Sequence, residues 1–151
     1  KENVEINTKT GNNRGVCNYN NDANNVATYG RLYNFYAVVD SRNLCPTGWH
    51  APSDNEWTTL LNYLGGDSAA GVLLKGFGNG TNTSGFTALA GGLRYSLDAY
   101  YGNMGSTCYF WSSTINNNNS AWEIILDNFS IGVVHTYGNK YNGESVRCLK
   151  D

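Results

Sequence analysis

The chain has 151 residues, of which 40% are hydrophobic and 13% aromatic, so it can build a packed core and is not composed like a disordered segment. Only 15% are charged, and ten Lys and Arg against twelve Asp and Glu give a net charge of −2. Because the basic residues are scattered singly, no basic stripe is present to neutralise a phosphate backbone, and we expect no nucleic-acid partner.

The length suits one domain over residues 1–151. Residues 1–28 mix Asn, Gly and Thr with few apolar residues, which predicts irregular structure with one short edge strand at Val4–Thr8. The chain begins at Lys1, and no apolar run approaches the roughly 20 residues that a transmembrane helix needs. We therefore expect an already processed piece without a transmembrane segment.

Two helices are predicted in the first half of the chain. Apolar residues fall on one helical face between Tyr29 and Asp40. A second helix is predicted over Asp54–Leu64, because Ser53 and Glu56 have the spacing of a capping box. Gly65 and Gly66 would end this helix, and a further helical turn is expected at Ala69–Lys75.

The second half has the pattern of a sheet, with short apolar or alternating segments separated by Gly and Asn. The predicted strands are Phe86–Leu93, Tyr109–Thr114, Ala121–Asp127, Val133–Tyr137 and Ser145–Leu149. The predicted long loops are Gly76–Gly85, Leu97–Thr107 and Ile115–Ser120. Two helices followed by short antiparallel strands indicate an α+β domain.

Four cysteines, at positions 17, 45, 108 and 148, are widely spaced and form no CxxC pair. This spacing favours structural disulfides over a zinc or thioredoxin-like site, and four cysteines allow three pairings. An even number of cysteines in a chain poor in Lys and Glu is typical of an oxidising, extracytoplasmic setting.

Several blocks, taken in order, resemble one protein family. They are Tyr29–Tyr33, Cys45–Trp57, Gly85–Arg94, Phe110–Thr114, Ala121–Trp122 and Ser145–Asp151. Together they resemble the Fibrobacter succinogenes major paralogous domain family, found in secreted and surface proteins of Fibrobacter and Bacteroidetes-type bacteria. The resemblance covers roughly residues 15–151 and implies an extracellular or cell-surface location.

A more distant resemblance is to the formylglycine-generating-enzyme and sulfatase-modifying-factor group. Pro52–Trp57 and Val146–Cys148 occupy the places of that group's helix start and final strand. The implied fold is C-type-lectin-like. In such domains a long-range disulfide joins a helix region to the last strand, which implies a Cys45–Cys148 bridge and leaves Cys17 with Cys108 by default.

Catalysis has little support in the sequence. The formylglycine-generating enzymes use two closely spaced cysteines near the end of the chain, whereas here Cys148 is forty positions (148 − 108) from Cys108. No nucleophile elbow, P-loop, HExxH or paired-carboxylate motif occurs. Capping accounts for Glu56, and His50 and His135 are interpreted as hydrogen-bonded structural or surface residues.

The C-type-lectin-like resemblance implies a binding face formed by the loops between the late strands. Tyr and Asn residues there can stack on sugars or peptides and hydrogen-bond to them. The candidate ligand-binding residues are Tyr100, Tyr101, Asn103, Asn116, Asn118, Trp122, His135 and Tyr137. The alternative is that Trp111 and Trp122 belong to the core and that the four consecutive asparagines at residues 116–119, the Asn run, form a solvated turn.

No cofactor is predicted. The calcium-binding tripeptides of sugar-binding C-type lectins do not occur, and Asp127 with Asn128 supplies too few of the 6–8 oxygens that Ca²⁺ takes. A structural calcium completed by backbone carbonyls stays open.

The leading hypothesis is a non-catalytic, secreted or cell-surface recognition or adhesion domain that binds carbohydrate or a surface protein through its late-strand loops. A structural spacer or assembly module of a larger surface protein is the alternative. A formylglycine-generating-type oxidase with relocated thiols is the second alternative.

Overall fold

The computed structural model describes residues 14–151. The edge strand predicted at Val4–Thr8 lies outside the described residues. Within residues 14–151 the chain forms four α-helices and nine strands, with a 3₁₀ turn at Tyr19–Asn21. The helices are α1 (Asn24–Tyr29), α2 (Phe35–Val38), α3 (Asp54–Tyr63) and α4 (Asp67–Leu74). The strands are β1 (Val16–Cys17), β2 (Leu32–Tyr33), β3 (Trp49–His50), β4 (Gly91–Arg94), β5 (Tyr101–Met104), β6 (Thr107–Ile115), β7 (Ser120–Asp127), β8 (Val134–Asn139) and β9 (Leu149–Lys150).

The main sheet has five strands in the order β5-β4-β6-β7-β8, and β1-β2 and β3-β9 form separate two-stranded sheets. This confirms an α+β chain, but the sheet is mixed and not antiparallel throughout as predicted. β4 pairs with β6 in parallel. The cause is the β4-β5 hairpin: β5 folds back along one edge of β4, and β6 then reverses again and returns on the other edge of β4.

The second predicted helix is confirmed as α3. Ser53 Oγ accepts a hydrogen bond from Glu56 N, and Ser53 N donates to Glu56 Oε2 at 2.8 Å, which completes the capping box. At the other end Gly66 N donates to Leu61 O at 2.8 Å, with Gly66 at a φ of 87°. The turn predicted at Ala69–Lys75 is α4, which starts two residues earlier, at Asp67.

The helix predicted over Tyr29–Asp40 is wrong as one element. Gly30, at a φ of 75°, ends α1, and the chain then extends into β2. Tyr33 exchanges backbone hydrogen bonds of 2.7 and 2.9 Å with Glu144, a partner more than one hundred positions away. Asn34 then caps α2 by accepting a hydrogen bond from Ala37 N at 3.1 Å. The apolar periodicity is local, whereas the strand pairing that interrupts it is not.

The strands predicted at Tyr109–Thr114, Ala121–Asp127 and Val133–Tyr137 are confirmed as β6, β7 and β8. The predicted loop Leu97–Thr107 is wrong in part because it contains β5. The segment predicted as a strand at Ser145–Leu149 contributes a single parallel bridge from Ser145 to Phe110 before β9 begins.

The core divides among clusters on the two faces of the sheet. Trp111 is fully buried, which confirms it as a core residue. One cluster packs α3 and α4 against β6 and β7; its largest members are Trp57, Leu61, Leu74, Phe110 and Ile124. A second holds Phe35, Val38, Cys45, Ala51, Trp111 and Ala121.

The bridge between Cys45 and Cys148 is confirmed, with a Cα–Cα distance of 5.8 Å and a sequence separation of 103. It joins the segment before β3 to the residue before β9. Since β3 pairs with β9, the disulfide and this small sheet fasten the same two distant parts of the chain.

The second predicted bridge, between Cys17 and Cys108, is wrong: both cysteines are free and buried. Cys17 packs with Tyr19 and Leu32, whereas Cys108 lies in the cluster that packs α3 and α4 on the sheet. Their side chains therefore belong to different parts of the core. Burial raises the pKa of both thiols, that of Cys108 to about 12, so both are protonated at neutral pH.

Among the helices of residues 14–151, none has the length and apolar character required to cross a bilayer.

Candidate functional site

Three connecting segments meet at one end of the main sheet. They are residues 95–100 between β4 and β5, residues 116–119 between β6 and β7, and residues 140–143 after β8. β4, β6 and β8 all finish at this end, because β4 is parallel to β6 and β7 is antiparallel to both of its neighbours. We call these three segments the loop end.

A pocket of about 260 Å³ opens at the loop end. Its lining residues are Tyr95, Ser96, Leu97, Asp98, Asn139 and Asn142. Two loops are joined there, since Ser96 N donates to Asn142 Oδ1 at 3.2 Å. Arg94 and Gly143 also exchange two backbone hydrogen bonds of 2.8 Å just below the pocket. The pocket is therefore built on backbone that the sheet holds in place.

Two tyrosine rings stand beside this pocket. The rings of Tyr95 and Tyr100 lie 6.1 Å apart between centroids at an interplanar angle of 24°. They are 39% and 62% exposed, respectively. Gly102 lies beneath them: a Cβ there would be 3.2 Å from an atom of each ring, so both rings pack over its backbone. Asp98 Oδ1 accepts a hydrogen bond from Tyr100 N at 3.0 Å and shapes the turn.

Tyr101 and Asn103 do not join Tyr100. Tyr101 Oη donates to Asn21 Oδ1 at 3.0 Å, and its ring lies 5.3 Å from that of Tyr19. Burial raises the pKa of Tyr101 to about 12, with a hydrogen bond to Cys17 as the next cause. Asn103 is further along β5, away from the loop end, where its amide donates to Tyr109 Oη at 2.7 Å. These two residues support the fold around β5.

The Asn run has largely internal partners. Asn116 Nδ2 donates to Ser120 Oγ at 3.0 Å, and Asn117 Oδ1 accepts from the backbone N–H groups of Asn119 and Ser120. The buried Lys140 fixes the loop by donating to the carbonyls of Asn117 at 2.6 Å and Asn118 at 3.2 Å. The solvated-turn alternative thus accounts for Asn116, whereas the side chain of Asn118 is exposed at the loop end.

Trp122, His135 and Tyr137 form a second group, on one face of β7 and β8. The Trp122 ring is 5.3 Å from that of His135 and 6.0 Å from that of Tyr137. His135 Nε2 lies 2.6 Å from Asp54 Oδ1 in the first turn of α3. This contact gives His135 the hydrogen-bonded structural position that the sequence suggested. Tyr137 is 55% exposed and extends this aromatic face towards solvent.

The sequence did not reveal a pair of buried carboxyls. Glu123 on β7 and Glu144 after the turn at residues 140–143 are 6% and 0% exposed. Burial raises the pKa of both groups, and for Glu144 the neighbouring Glu123 raises it further. The alternation of β7 could have suggested the position of Glu123, because it shares a face with the buried Ala121.

A buried lysine is the second feature that the sequence did not reveal. Lys75, just after α4, is fully buried. Its ammonium donates to Asp127 O at 2.7 Å and also to Ser130 O and Asn79 Oδ1. Desolvation lowers its pKa, while Asp127 acts in the opposite direction. Through these three oxygen acceptors, Lys75 links the loop that contains Asn79 to the segment at residues 127–130.

The described residues offer little for a metal ion. Asp127 Oδ1 accepts from the backbone N–H groups of Phe129 and Ser130 at 2.7 and 2.8 Å, so it is engaged in a turn. Within residues 14–151 no group of three His, Cys, Asp or Glu side chains is placed to bind a metal.

A second, smaller pocket of about 130 Å³ lies between α3 and the last residues. Arg147 stands 4.5 Å from the centroid of the Phe86 ring and donates to Phe86 O at 2.7 Å. His50 Nδ1 lies 2.6 Å from Asp151 Oδ1, and His50 Nε2 lies 2.9 Å from Glu56 Oε1. The hydrogen bond to Asp151 raises the pKa of His50 most, and the one to Glu56 raises it further. Glu56 therefore combines its capping role with an ion pair.

Comparison with known proteins gives one family. The family model described as the Fibrobacter succinogenes major domain matches residues 1–150 of the chain. No curated protein and no solved structure matches the chain. The similarity to the formylglycine-generating group stays a prediction.

Proposed function

The chain belongs to the Fibrobacter succinogenes major domain family, and on this basis we propose that it is a non-catalytic recognition domain of an exported protein. In this proposal the domain is secreted or displayed at the cell surface and binds carbohydrate or another surface protein through the loop end. The observation that carries the proposal is the loop-end pocket, with the exposed rings of Tyr95 and Tyr100 beside it. Rigid aromatic side chains on sheet-supported loops are typical of recognition surfaces.

Export is supported by the Cys45–Cys148 disulfide. Disulfides form and persist in extracytoplasmic compartments and are rare in the cytosol. A bridge that closes a loop of this length also stabilises the folded state, mainly by lowering the entropy of the unfolded chain.

A C-type-lectin-like fold is part of the proposal. Its support is the disulfide between the segment before β3 and the residue before β9, together with the pairing of β3 with β9, the last strand. The mixed five-stranded sheet, with α3 and α4 packed on one face and α2 on the other, is compatible with it.

The non-catalytic part of the proposal rests on the thiols. Cys148, which would have to react in a formylglycine-generating oxidase, is bonded to Cys45. The free thiols of Cys17 and Cys108 are buried in different clusters, with pKa values raised by burial. A reactive thiol needs the opposite environment, one that is accessible and stabilises the thiolate.

A structural spacer is the second candidate. The observation that favours it is the internal hydrogen bonding of the Asn run, where Asn116 and Asn117 already have partners within their own turn. A spacer needs no ligand at the loop end, so the two candidates differ in whether substitution of Tyr100 changes any binding.

The test is a glycan array and a pull-down of surface proteins with the purified domain, its Tyr100→Ala variant and a Tyr63→Ala control. Tyr63 is 86% exposed on α3. The Tyr63→Ala substitution removes the same side chain as Tyr100→Ala, but at a position far from the loop end along the chain. We expect a bound ligand that is lost with Tyr100→Ala and kept with Tyr63→Ala. Binding that neither variant alters, or no ligand in either screen, would favour the spacer.

A further inference from the structure

The loop-end pocket has an aromatic wall and a polar wall, and we propose that it binds the ring of a neutral pyranose sugar. This inference rests on the recognition function proposed above. It narrows that function from carbohydrate or protein to one class of ligand and one orientation, with the apolar C–H face of the sugar against tyrosine and its hydroxyls towards amides.

The aromatic wall consists of Tyr95, which lines the pocket, and the ring of Tyr100, which stacks beside Tyr95 at 6.1 Å. Their interplanar angle of 24° makes the two rings nearly parallel, and their contact with the backbone of Gly102 limits their movement. Leu97, on the same loop and 95% exposed, adds apolar surface at the rim. A ring that is ordered before binding loses little entropy when it stacks on a ligand.

The polar wall consists of Ser96, Asn139 and Asn142. The amide oxygens of the two asparagines are already oriented: Asn139 Oδ1 accepts from Tyr141 N at 2.9 Å and Asn142 Oδ1 accepts from Ser96 N. An amide both donates and accepts hydrogen bonds, as a sugar hydroxyl does. Neutral amides and an aromatic ring that line one pocket therefore match the two chemical faces of a pyranose.

The charges around the pocket favour a neutral sugar. Asp98 is the only acidic or basic residue among the six lining residues. The basic residues of the adjoining segments are engaged elsewhere: Arg94 lies 5.9 Å from the centroid of the Tyr101 ring, and Lys140 donates to the carbonyls of the Asn run. A uronic acid would bring its carboxylate towards Asp98 without a cation to compensate the repulsion.

The size of the pocket suits one ring. Its volume of about 260 Å³ is below that of pockets for drug-sized ligands, which begin near 300 Å³. We therefore expect one sugar unit to occupy it, with the rest of a glycan chain extending into solvent.

The test uses nuclear magnetic resonance of the domain with ¹³C-labelled tyrosine, titrated with methyl β-glucopyranoside, methyl β-galactopyranoside and methyl α-mannopyranoside. Methyl β-glucuronide is the matched anionic probe, since it replaces only the C6 hydroxymethyl group by a carboxylate. The variants are Tyr95→Ala, Tyr100→Ala, Asp98→Asn and the Tyr63→Ala control, each checked for folding by its amide spectrum.

We expect at least one neutral glycoside to shift the ring resonances of Tyr95 and Tyr100. Loss of either ring should weaken that binding about tenfold or more, the range of a lost stacking contact, and Tyr63→Ala should leave it unchanged. The glucuronide should bind more weakly than the glucoside, and Asp98→Asn should reduce this difference.

Four results would overturn the inference, and the last of them would overturn the sugar assignment alone. One is no ring shift with any neutral glycoside at tens of millimolar. Another is glycoside binding that survives both Tyr95→Ala and Tyr100→Ala. The third is tighter binding of the glucuronide. A surface protein captured by the wild-type domain and lost with Tyr100→Ala would overturn the sugar assignment while leaving the recognition function intact.

Discussion

The carboxyl groups of Glu123 and Glu144 converge beside Gly138. A Cβ at position 138 would lie 2.5 Å from Glu123 Oε2 and 3.1 Å from Glu144 Oε1, so the absence of a side chain there makes room for the pair. Neither oxygen of Glu144 receives a well-formed hydrogen bond from the described residues. Two adjacent buried carboxyls cannot both be ionised without a large cost, so the pair keeps a proton to a higher pH than an isolated glutamate does.

The stability of the domain should therefore fall as the pH rises above 5. A raised folded-state pKa contributes stability that is fully present below the unfolded value, near 4.5, and is lost as the pH rises through the folded pKa. Glu144→Gln, which cannot ionise, should reduce this loss. The measurement is urea denaturation of both proteins between pH 5 and pH 8.

An exposed carboxyl provides the control for this effect. Asp98→Asn at the loop end should leave the pH dependence as in the wild type. His50, whose pKa is also raised, titrates in every variant, so only the difference between slopes reports on the pair. Equal slopes for the wild type and Glu144→Gln would show that the pair does not couple protonation to folding.

Removal of the disulfide should destabilise the domain. The double variant Cys45→Ala with Cys148→Ala frees the ends of a loop of 103 positions, and we expect a loss of about 2–5 kcal/mol in the free energy of unfolding. Denaturant titration under non-reducing conditions measures it. Dithiothreitol should lower the midpoint of the wild type but not of the double variant; a shift in both would locate the sensitivity elsewhere.

The two free cysteines should resist modification in the folded domain. Cys17 and Cys108 are 5% and 0% exposed and their thiols are protonated at neutral pH, so a maleimide should react with neither until the protein unfolds. Intact mass after labelling in denaturant should show two adducts. Fast labelling of the native protein would contradict the buried positions and revive the oxidase alternative.

Lys75 should be more important for stability than any exposed lysine. Lys75→Met keeps most of the volume but removes the donor to Asp127 O, whereas Ser130 O still accepts a hydrogen bond from Asn79 Nδ2 at 3.4 Å. We expect a loss of about 1–3 kcal/mol in the free energy of unfolding, the usual cost of a buried polar group that loses its partner. Lys150→Met, at an exposed position in β9, is the matched control and should change little. Equal stabilities of the two variants would refute this role.

Elements with local causes could be predicted from the chain alone. The capping box of Ser53 and Glu56 sets the start of α3 within four residues of chain, and Gly65 and Gly66 end it. Short apolar or alternating segments between Gly and Asn residues likewise indicate β6, β7 and β8, because strands of this length buried on one or both faces have such a pattern in any sheet. The ordered motifs also identified the family that residues 1–150 match.

The tertiary structure alone decided the features that depend on distant partners. β2 interrupts an apolar helical pattern because Tyr33 bonds to Glu144, and β5 forms in a predicted loop because β4 offers it an edge. Cys17 and Cys108 stay apart because they enter different clusters. The pocket beside Tyr100 exists because the strand order brings the loop after β4 and the end of β8, which are far apart in the chain, to one end of the sheet. Local spacing carries no information on such pairings, since their energy comes from contacts between residues far apart in the chain.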